Sequence, residues 1–296
     1  MIRRTRVRAT AFAKVTLSLR VLGARPDGYH ELDALSVSIG QPQDTLEAAV
    51  AGEPGVQIQV PSDDSSVPIG DDNLASRAAD RVLTRAGRQA LGVSLTLRKR
   101  IPVGGGLGGG SADAAAALLA VRHLLELQLD DDALFELAAD LGSDVPFCLL
   151  GGAARVRGRG ERLEPAKLPL GLPLLVAVPP FALATPDVYR TWDELGGPRT
   201  TRTVPPPRPL TGVVGDLAND LEPAAEALEP RLRPFREELE EAAGRPALLA
   251  GSGSSYVVPV DENGRRLSEL ASQLSERLRR PVFGAATVSR GVRLEA

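Results

Sequence analysis

The sequence predicts an α+β fold, and three observations support this prediction. The chain has 296 residues with 43% hydrophobic and 25% charged residues, which is typical of a globular protein and long enough for two domains. Its first hundred residues are rich in β-branched and alternating apolar segments, whereas helical patterns dominate the next fifty. The second half alternates helical and strand-like segments, which predicts a smaller α+β unit.

Strand-like segments come first along the chain. They lie near residues 3–8, 13–21, 34–39, 55–60 and 93–98, with one later strand near 153–157. Helices are predicted from Leu74 to about Ala86, from Ser111 to Leu125 with Ser111 as N-cap, and from Asp131 to Ala139. The three aspartates from Asp130 are read as a helix start and not as a metal site.

The second half of the chain is predicted to contain both helices and strands. Helices are predicted near residues 221–243 and 265–279, and strands near 247–249, 255–260 and 281–287. The segment from Glu194 to Leu210 is rich in proline, glycine and threonine, which predicts an exposed connection. The sequence contains no internal repeat.

A glycine-rich loop is the most informative feature of the chain. Six of the seven residues from Gly104 to Gly110 are glycine, and the loop joins a strand to the helix at Ser111. Such a loop allows close approach of a ligand, and free N–H groups at a helix start favour phosphate. No lysine precedes Ser111, so the Walker A pattern is absent, while a dinucleotide fingerprint matches any dense glycine run. A flexible linker is less favoured because apolar elements flank the loop.

Composition excludes several classes of function. A net charge of −3 gives no reason to expect nucleic acid as a partner. No signal peptide or apolar run of about 20 residues is present, so we expect no membrane contact and a cytoplasmic location. A single cysteine and two histidines exclude an internal disulfide and a metal site rich in these residues. The oligomeric state is not encoded in any pattern we find.

Lysine is scarce, which makes each lysine a candidate for a specific role. The three lysines are Lys14, Lys99 and Lys167 among 35 basic residues. Lys14 lies in an apolar strand where an unpaired charge is costly. Lys99 lies between two arginines and is expected to be solvated or to face phosphate. Asp144, after the helix that ends at Gly142, is either a turn former or the partner of Lys14 in a buried acid–base pair.

Two further segments have open interpretations. The Gly/Ser segment from Ala250 to Ser255 is a β-turn on its own, but two such loops in one chain suggest a polyanion held between two domains. Tyr29 and His30 follow a turn in a chain with only 3% aromatic residues. They suit a planar ligand, or they anchor the loop. Tyr189 has a similar setting.

Taken in order, these segments resemble the GHMP kinase superfamily of small-molecule kinases, from about Ala9 to beyond Val258. Residues 101–111 resemble its central phosphate motif and residues 250–255 its third motif. Residues 25–32, 141–147 and 219–223 are similar to the branch that phosphorylates diphosphocytidyl-methylerythritol. The resemblance implies a ribosomal-S5-domain-2-like N-terminal domain, residues 1–160, and a ferredoxin-like C-terminal domain, residues 161–296, with the active site between them.

The resemblance also implies an activity and its residues. The reaction is ATP-dependent phosphorylation of the 2-hydroxyl of the acceptor, with Asp144 as general base and Lys14 orienting it. ATP, with Mg²⁺ held mainly by phosphates and water, is expected to contact Asn73, Pro102, Gly104, Gly105, Gly106, Leu107, Gly108, Gly109, Gly110 and Ser111. The small-molecule substrate is expected to contact Thr16, Tyr29, His30, Thr185, Tyr189, Gly251, Ser252 and Gly253. Tyr29 and Tyr189 would sandwich the cytosine, and His30 would bond its edge.

Two departures from the family pattern bear on the acceptor. Thr16 stands where the family usually has asparagine, and Phe12 stands where it usually has proline. Thr16 keeps a hydroxyl but lacks the paired donor and acceptor of an amide. A kinase of another small alcohol is therefore one alternative, although such substrates offer no base to stack. A catalytically silent nucleotide-binding protein is the other, and the presence of both Lys14 and Asp144 disfavours it.

Overall fold

Two very long antiparallel strands form the centre of the first sheet. The computed structural model describes residues 5–61, 67–205, 215 and 217–295. Strand β1 spans Arg6–Ala24 and β2 spans His30–Ala51, and they pair along most of their lengths. The separate strands expected at 3–8 and 13–21 are one strand, and the strand expected at 34–39 extends to Ala51. Both faces of β1 are buried from Ala9 to Leu17, which hides the alternation that marks a strand. Residues 3 and 4 lie outside the described residues.

Five shorter strands complete this sheet. They are β3 (Gly55–Gln59), β4 (Gly92–Arg98), β5 (Ala153–Gly158), β6 (Arg162–Pro165) and β11 (Val292–Glu295). The order is β11-β1-β2-β4-β3, and β5 pairs with both β2 and β6. Strands β6 and β11 were not expected from the sequence, since each is only four residues long.

Four helices of the first half pack around this sheet. They are α1 (Leu74–Arg85), α2 (Gly109–Leu124), α3 (Asp131–Leu141) and α4 (Val145–Leu150). Helix α2 is buried on almost every side, because its alanines allow close packing against both β1 and α1. Its N-cap is Gly108, so the prediction that Ser111 is the N-cap is wrong. Gly108 adopts φ 69°, so the glycine loop enters the helix three residues earlier.

The second sheet has four antiparallel strands in the order β10-β7-β9-β8. They are β7 (Pro173–Ala177), β8 (Leu248–Leu249), β9 (Tyr256–Pro259) and β10 (Val282–Ala286), and its helices are α5 (Thr185–Glu194), α6 (Glu222–Leu228), α7 (Leu232–Ala243) and α8 (Gly264–Leu278). The single helix expected at 221–243 is two helices, because Pro230 disfavours helical backbone at Glu229 before it. Strand β7 and helix α5 were not expected.

The α+β prediction is confirmed, and the two sheets contact each other closely. Single bridges join Leu19 to Asn219 and Ile39 to Thr287. The expected exposed connection is described only as far as Pro205, and within that part Val204 is buried and pairs with Leu217. The division at residue 160 stays a prediction. None of the helices in the described ranges is long and apolar enough to cross a membrane.

Candidate active site

The two glycine-rich loops predicted from the sequence pack directly against each other. Ser255 donates its N–H to the carbonyl of Gly105 at 3.1 Å. A Cβ atom on Gly106, which has φ 75°, would lie 2.3 Å from the Ala250 carbonyl oxygen. A Cβ atom on Gly108 would lie 2.7 Å from Cγ of Lys14. Both positions therefore require glycine, and the loop is held against both the second glycine loop and β1.

The start of α2 opens into the space beside these loops. Gly109, Gly110 and Ser111 form its first turn and line the cleft described below. The N–H groups of a first helical turn lack acceptors within the helix, and the helix dipole places partial positive charge there. The backbone is therefore suited to bind phosphate, as the sequence suggested.

Lys14 and Asp144 meet in this space. Lys14 Nζ lies 3.1 Å from Asp144 Oδ2 and donates to Thr16 Oγ1 at 3.5 Å. The side chain of Lys14 is only 9% exposed, whereas that of Asp144 is 44% exposed. Asp144 immediately precedes α4, with no capping bond from its side chain. Its carboxylate is therefore oriented by one buried ammonium group and open to the cleft for a proton.

An aromatic group lies at another part of the same cleft. The rings of His30 and Tyr189 stack with centroids 4.8 Å apart, and His30 Nε2 lies 2.8 Å from Asp193 Oδ1. Tyr29 is 48% exposed, and the guanidinium of Arg159 lies over its ring at 4.9 Å. One face of His30 is thus occupied by Tyr189. Whether both tyrosines hold one base stays a prediction.

The cleft has a volume of about 690 Å³ and brings together residues from both halves of the chain. Its lining includes the expected catalytic residues Lys14 and Asp144 and all the expected substrate residues except Gly253, namely Thr16, Tyr29, His30, Thr185, Tyr189, Gly251 and Ser252. Gly253 lies behind this wall, where it packs against Leu183 and Leu249. The hydroxyls of Thr185 and Ser252 are hydrogen-bonded at 2.8 Å, which joins α5 to the second glycine loop.

A smaller cavity of about 250 Å³ lies on the other side of the first glycine loop. It contains Asn73, Pro102, Gly105 and Leu107, and it shares Gly104, Gly106, Gly108, Gly109 and Gly110 with the cleft. The buried Asn73 caps α1, since its Oδ1 accepts from the Ala75 N–H at 2.9 Å and its Nδ2 donates to the Pro68 carbonyl at 2.8 Å. The glycine loop therefore borders both the cleft and the smaller cavity, the two chambers of the site.

Lys99 is not solvated, so that alternative of our prediction is wrong, and whether it faces phosphate stays a prediction. Its side chain is 8% exposed, and Nζ lies 2.5 Å from Asp44 Oδ2 and 2.6 Å from Asp113 Oδ2. Burial raises the pKa of Asp113 to about 8. Burial also opposes the charge of Lys99, but the two carboxylates outweigh it and raise the pKa of the lysine. Lys99 therefore fixes structure under the loop.

Several residues of the site were missed by sequence reasoning. Ser36, Arg159 and Asp193 all line the cleft, and Ser36 Oγ lies 3.3 Å from Thr16 Oγ1. Their local sequences carry no motif, so only the pairing of β2 with β1 and the packing of α5 show where they lie. Asp193 follows Tyr189 by one helical turn, and this spacing could have indicated a shared face.

The described residues fit a magnesium ion that arrives with phosphate. No group of three histidine, cysteine, aspartate or glutamate side chains in the described part of the chain could hold a metal by itself. The Ser111 hydroxyl and the Asp144 carboxylate line the same cleft, and oxygen is the ligand that Mg²⁺ prefers. Phosphate oxygens would have to supply most of the coordination.

Known proteins resemble the chain in sequence and in structure. The family of GHMP kinases, N terminal domain, matches residues 73–152. A 4-diphosphocytidyl-2-C-methyl-D-erythritol kinase of Pelotomaculum thermopropionicum is 43% identical over 255 residues, which cover 83% of this chain and 86% of the relative. One of the same name from Moorella thermoacetica is 38% identical over 274 residues, covering 90% and 94%.

A solved structure agrees with these relatives. The crystal structure of a 4-(cytidine 5'-diphospho)-2C-methyl-D-erythritol kinase is 36% identical with a TM-score of 0.76, and the match covers 95% of this chain and 98% of that one. The GHMP kinase fold implied by the sequence is confirmed.

Proposed function

Because the chain belongs to the 4-diphosphocytidyl-2-C-methyl-D-erythritol kinase family of the GHMP kinases, we propose that it transfers the γ-phosphoryl group of ATP to the 2-hydroxyl of that substrate. The Lys14–Asp144 pair carries this proposal. It faces the glycine loop in a cleft that also contains Tyr29, His30 and Tyr189. A phosphate site, a base and an aromatic pocket are thus within one cavity.

Asp144 is the proposed general base. Its partly exposed carboxylate accepts the proton of the attacking hydroxyl, and Lys14 at 3.1 Å holds the carboxylate in place. The ammonium group also offsets negative charge that develops on the transferring oxygen atoms. The phosphoryl group passes directly from ATP to the acceptor, with no phosphoenzyme, because positioning and charge stabilisation suffice for this chemistry.

The glycine loop and the start of α2 bind the phosphates of ATP. Backbone N–H groups from Gly104 to Ser111 would donate to phosphate oxygens, and the α2 dipole would add to their attraction. Mg²⁺ bound with ATP would neutralise phosphate charge, held by phosphate oxygens, water and the Ser111 hydroxyl. The adenosine part would occupy the smaller cavity beside Asn73.

The acceptor lies on the cleft side of the loop. Its cytosine would lie between Tyr29 and Tyr189 with His30 at its edge, and its sugar alcohol beside Thr16, Thr185, Gly251 and Ser252. Gly253 supports this wall from behind. A cytoplasmic location stays a prediction.

Thr16 favours one alternative, a kinase of a different small alcohol. Its hydroxyl is shared between Lys14 and Ser36, so the group that the family uses for the acceptor is replaced here by a smaller one. A coupled ADP-release assay separates the two functions. With ATP and magnesium, we expect turnover with 4-diphosphocytidyl-2-C-methylerythritol and none with methylerythritol phosphate, mevalonate or homoserine. Faster turnover of any of those three would refute the proposal.

Removing either member of the catalytic pair tests the mechanism. We expect Asp144→Asn and Lys14→Ala to lower kcat by about 10²- to 10⁴-fold, the usual effect of losing general acid–base catalysis, while ATP binding by calorimetry stays the same. Asp140→Asn is the matched control, because Asp140 is an exposed aspartate one turn earlier in the chain. Unchanged rates in both pair variants would exclude this mechanism.

A further inference from the structure

The segment from Asn219 to Pro223 resembles the family pattern, but no part of the proposed reaction uses it. Asn219 is 2% exposed. Its Nδ2 donates to the carbonyls of Leu249 at 2.8 Å and Gly251 at 2.7 Å, and its Oδ1 accepts from the Leu221 N–H at 2.9 Å. Every hydrogen of the amide is used. A carboxamide is the neutral side chain that can donate twice and accept at once in this way.

The same segment is fixed to strand β1. Asp220 is fully buried, and its carboxylate accepts from Arg20 Nη1 at 2.7 Å and from the Val21 N–H at 3.1 Å. The backbone adds two bonds, from Leu19 N–H to the Ala218 carbonyl and from Asp220 N–H to the Leu19 carbonyl. Residues 218–220 therefore lie beside β1 and pair with Leu19 in a single parallel bridge.

Asn219 thus sets the distance between two walls of the cleft. Lys14 and Thr16 lie on β1, and a Cβ atom on Gly251 would lie 3.6 Å from Lys14 Nζ and 3.8 Å from Thr16 Oγ1. Gly251 adopts φ 59°, and its carbonyl is the one that Asn219 holds. A change in this bond would move Gly251 relative to the ammonium group.

The loop residue that Asn219 holds faces one of the two chambers. Gly251 and Ser252 line the larger cleft, and neither lines the smaller cavity beside Asn73 and Lys99. We infer that Asn219 is a positioning residue that holds the Gly251–Gly253 loop against Lys14 on the acceptor side of the cleft. The inference rests on the proposed function for which ligand occupies each chamber.

Asn219→Asp tests this role with almost no change in size. The carboxylate would lose both donors and face two carbonyl oxygens, which displaces the loop. We expect kcat to fall by about 10²-fold, as misplacement by about 1 Å can cause, with a larger rise in the acceptor KM than in the ATP KM. Asn263→Asp is the matched control at an exposed asparagine, and its constants should equal those of the wild type.

A second measurement does not depend on the substrate. Amide hydrogen exchange in Asn219→Asp should accelerate at residues 250–255 and stay unchanged at residues 73–85. If Asn219→Asp fails to fold, Asn219→Ser keeps one donor and should show the same pattern with a smaller loss of kcat. Unchanged exchange at 250–255, or equal rises in both KM values, would overturn the inference. An inactive wild type would instead refute the proposed function, and the exchange pattern would still decide the role of Asn219.

Discussion

At the scale of single residues, the cleft depends on places where no side chain fits. Gly106 and Gly244 both adopt left-handed backbone conformations, with φ values of 75° and 65°. At Gly106 a Cβ atom would meet the carbonyl oxygens of Ala250 and Gly253 at 2.3 and 2.7 Å. At Gly244, the cap of α7, nothing lies within 4 Å. An alanine at Gly244 would therefore introduce backbone strain alone, whereas an alanine at Gly106 would introduce both strain and a steric clash.

We expect Gly106→Ala to abolish the closed arrangement of the two glycine loops. ATP affinity should fall more than about tenfold, because the N–H groups of the loop no longer point to one place. Gly244→Ala is the control with the same strain alone, and should cost only about 1 kcal/mol of stability with normal ATP binding. Calorimetric titration with ATP checks both variants. Equal affinities would show that the loop tolerates a side chain at Gly106.

Two lysines show which side-chain contacts could be predicted from the sequence and which could not. The scarcity of lysine indicates Lys14, and the structure pairs it with Asp144, which is one of the two roles that the sequence left open for this aspartate. The same reasoning did not show that Lys99 is buried, because its partners Asp44 and Asp113 lie 55 and 14 positions away from it in the chain. A strand register decides whether such a lysine is buried, and the sequence carries no local trace of it.

At the scale of elements, one ion cluster connects β2, the glycine loop and α2. Asp44 on β2 contacts Lys99 and also accepts from the N–H groups of Arg100 and Ile101 at the entrance to the loop. Asp113 on α2 completes the cluster, and its Oδ1 atom has no partner. Two buried carboxylates against one ammonium leave an excess negative charge, which a proton on Asp113 neutralises.

The cluster predicts a definite dependence of stability on pH. The pKa of Asp113 is about 8 in the folded state, against an ordinary value of 3.8. Between these values the folded state binds more protons, so the free energy of unfolding should fall as pH rises from about 5 to 8, by at most about 1.4 kcal/mol per pH unit.

Urea denaturation of Asp113→Asn at several pH values checks this dependence. The neutral amide should remove this part of the slope, because it cannot release a proton. Asp132→Asn, at an exposed aspartate of α3, should keep the wild-type slope. Parallel curves for the wild type and Asp113→Asn would mean that Asp113 stays ionised in the folded state.

Helices and strands could be predicted where their own residues carry the hydrophobic pattern. Helices α1, α3 and α8 agree with prediction within two residues, because each has one buried stripe on an otherwise polar surface. The long strands were divided or shortened, since residues 40–42 resemble a turn although pairing with β1 continues past them. Short strands such as β6 were missed because tertiary pairing, not propensity, creates them.

At the scale of the whole molecule, the chain returns to its beginning. Strand β11 pairs antiparallel with β1, with Val292 opposite Ala11 and Glu295 opposite Arg8. Phe12 donates its N–H to the carbonyl of Gly291 at 2.9 Å. The edge of the sheet beside the strand that carries Lys14 is therefore covered by residues 292–295. The predicted division into two consecutive domains does not indicate that the last strand pairs with the first.

A chain that stops after Gly291 should lose much of its stability. It would expose the edge of β1 and the side chains that Val292 covers, which we expect to cost at least about 2 kcal/mol and to promote aggregation. Arg293→Ala is the control, because Arg293 is exposed on the same strand and should change stability by less than about 0.5 kcal/mol. Thermal unfolding measures both, and an unchanged Tm in the shortened chain would contradict the expectation.

The pairing of β11 with β1 also determines when the first sheet can be completed during synthesis of the chain. Thr10 and Glu295 are hydrogen-bonded although 285 positions separate them. While the ribosome makes the intervening chain, the strand that carries Lys14 has emerged but has an open edge. A nascent chain therefore cannot complete this sheet early, and a product whose synthesis stops before Val292 would be released with its first strand still unpaired on that side.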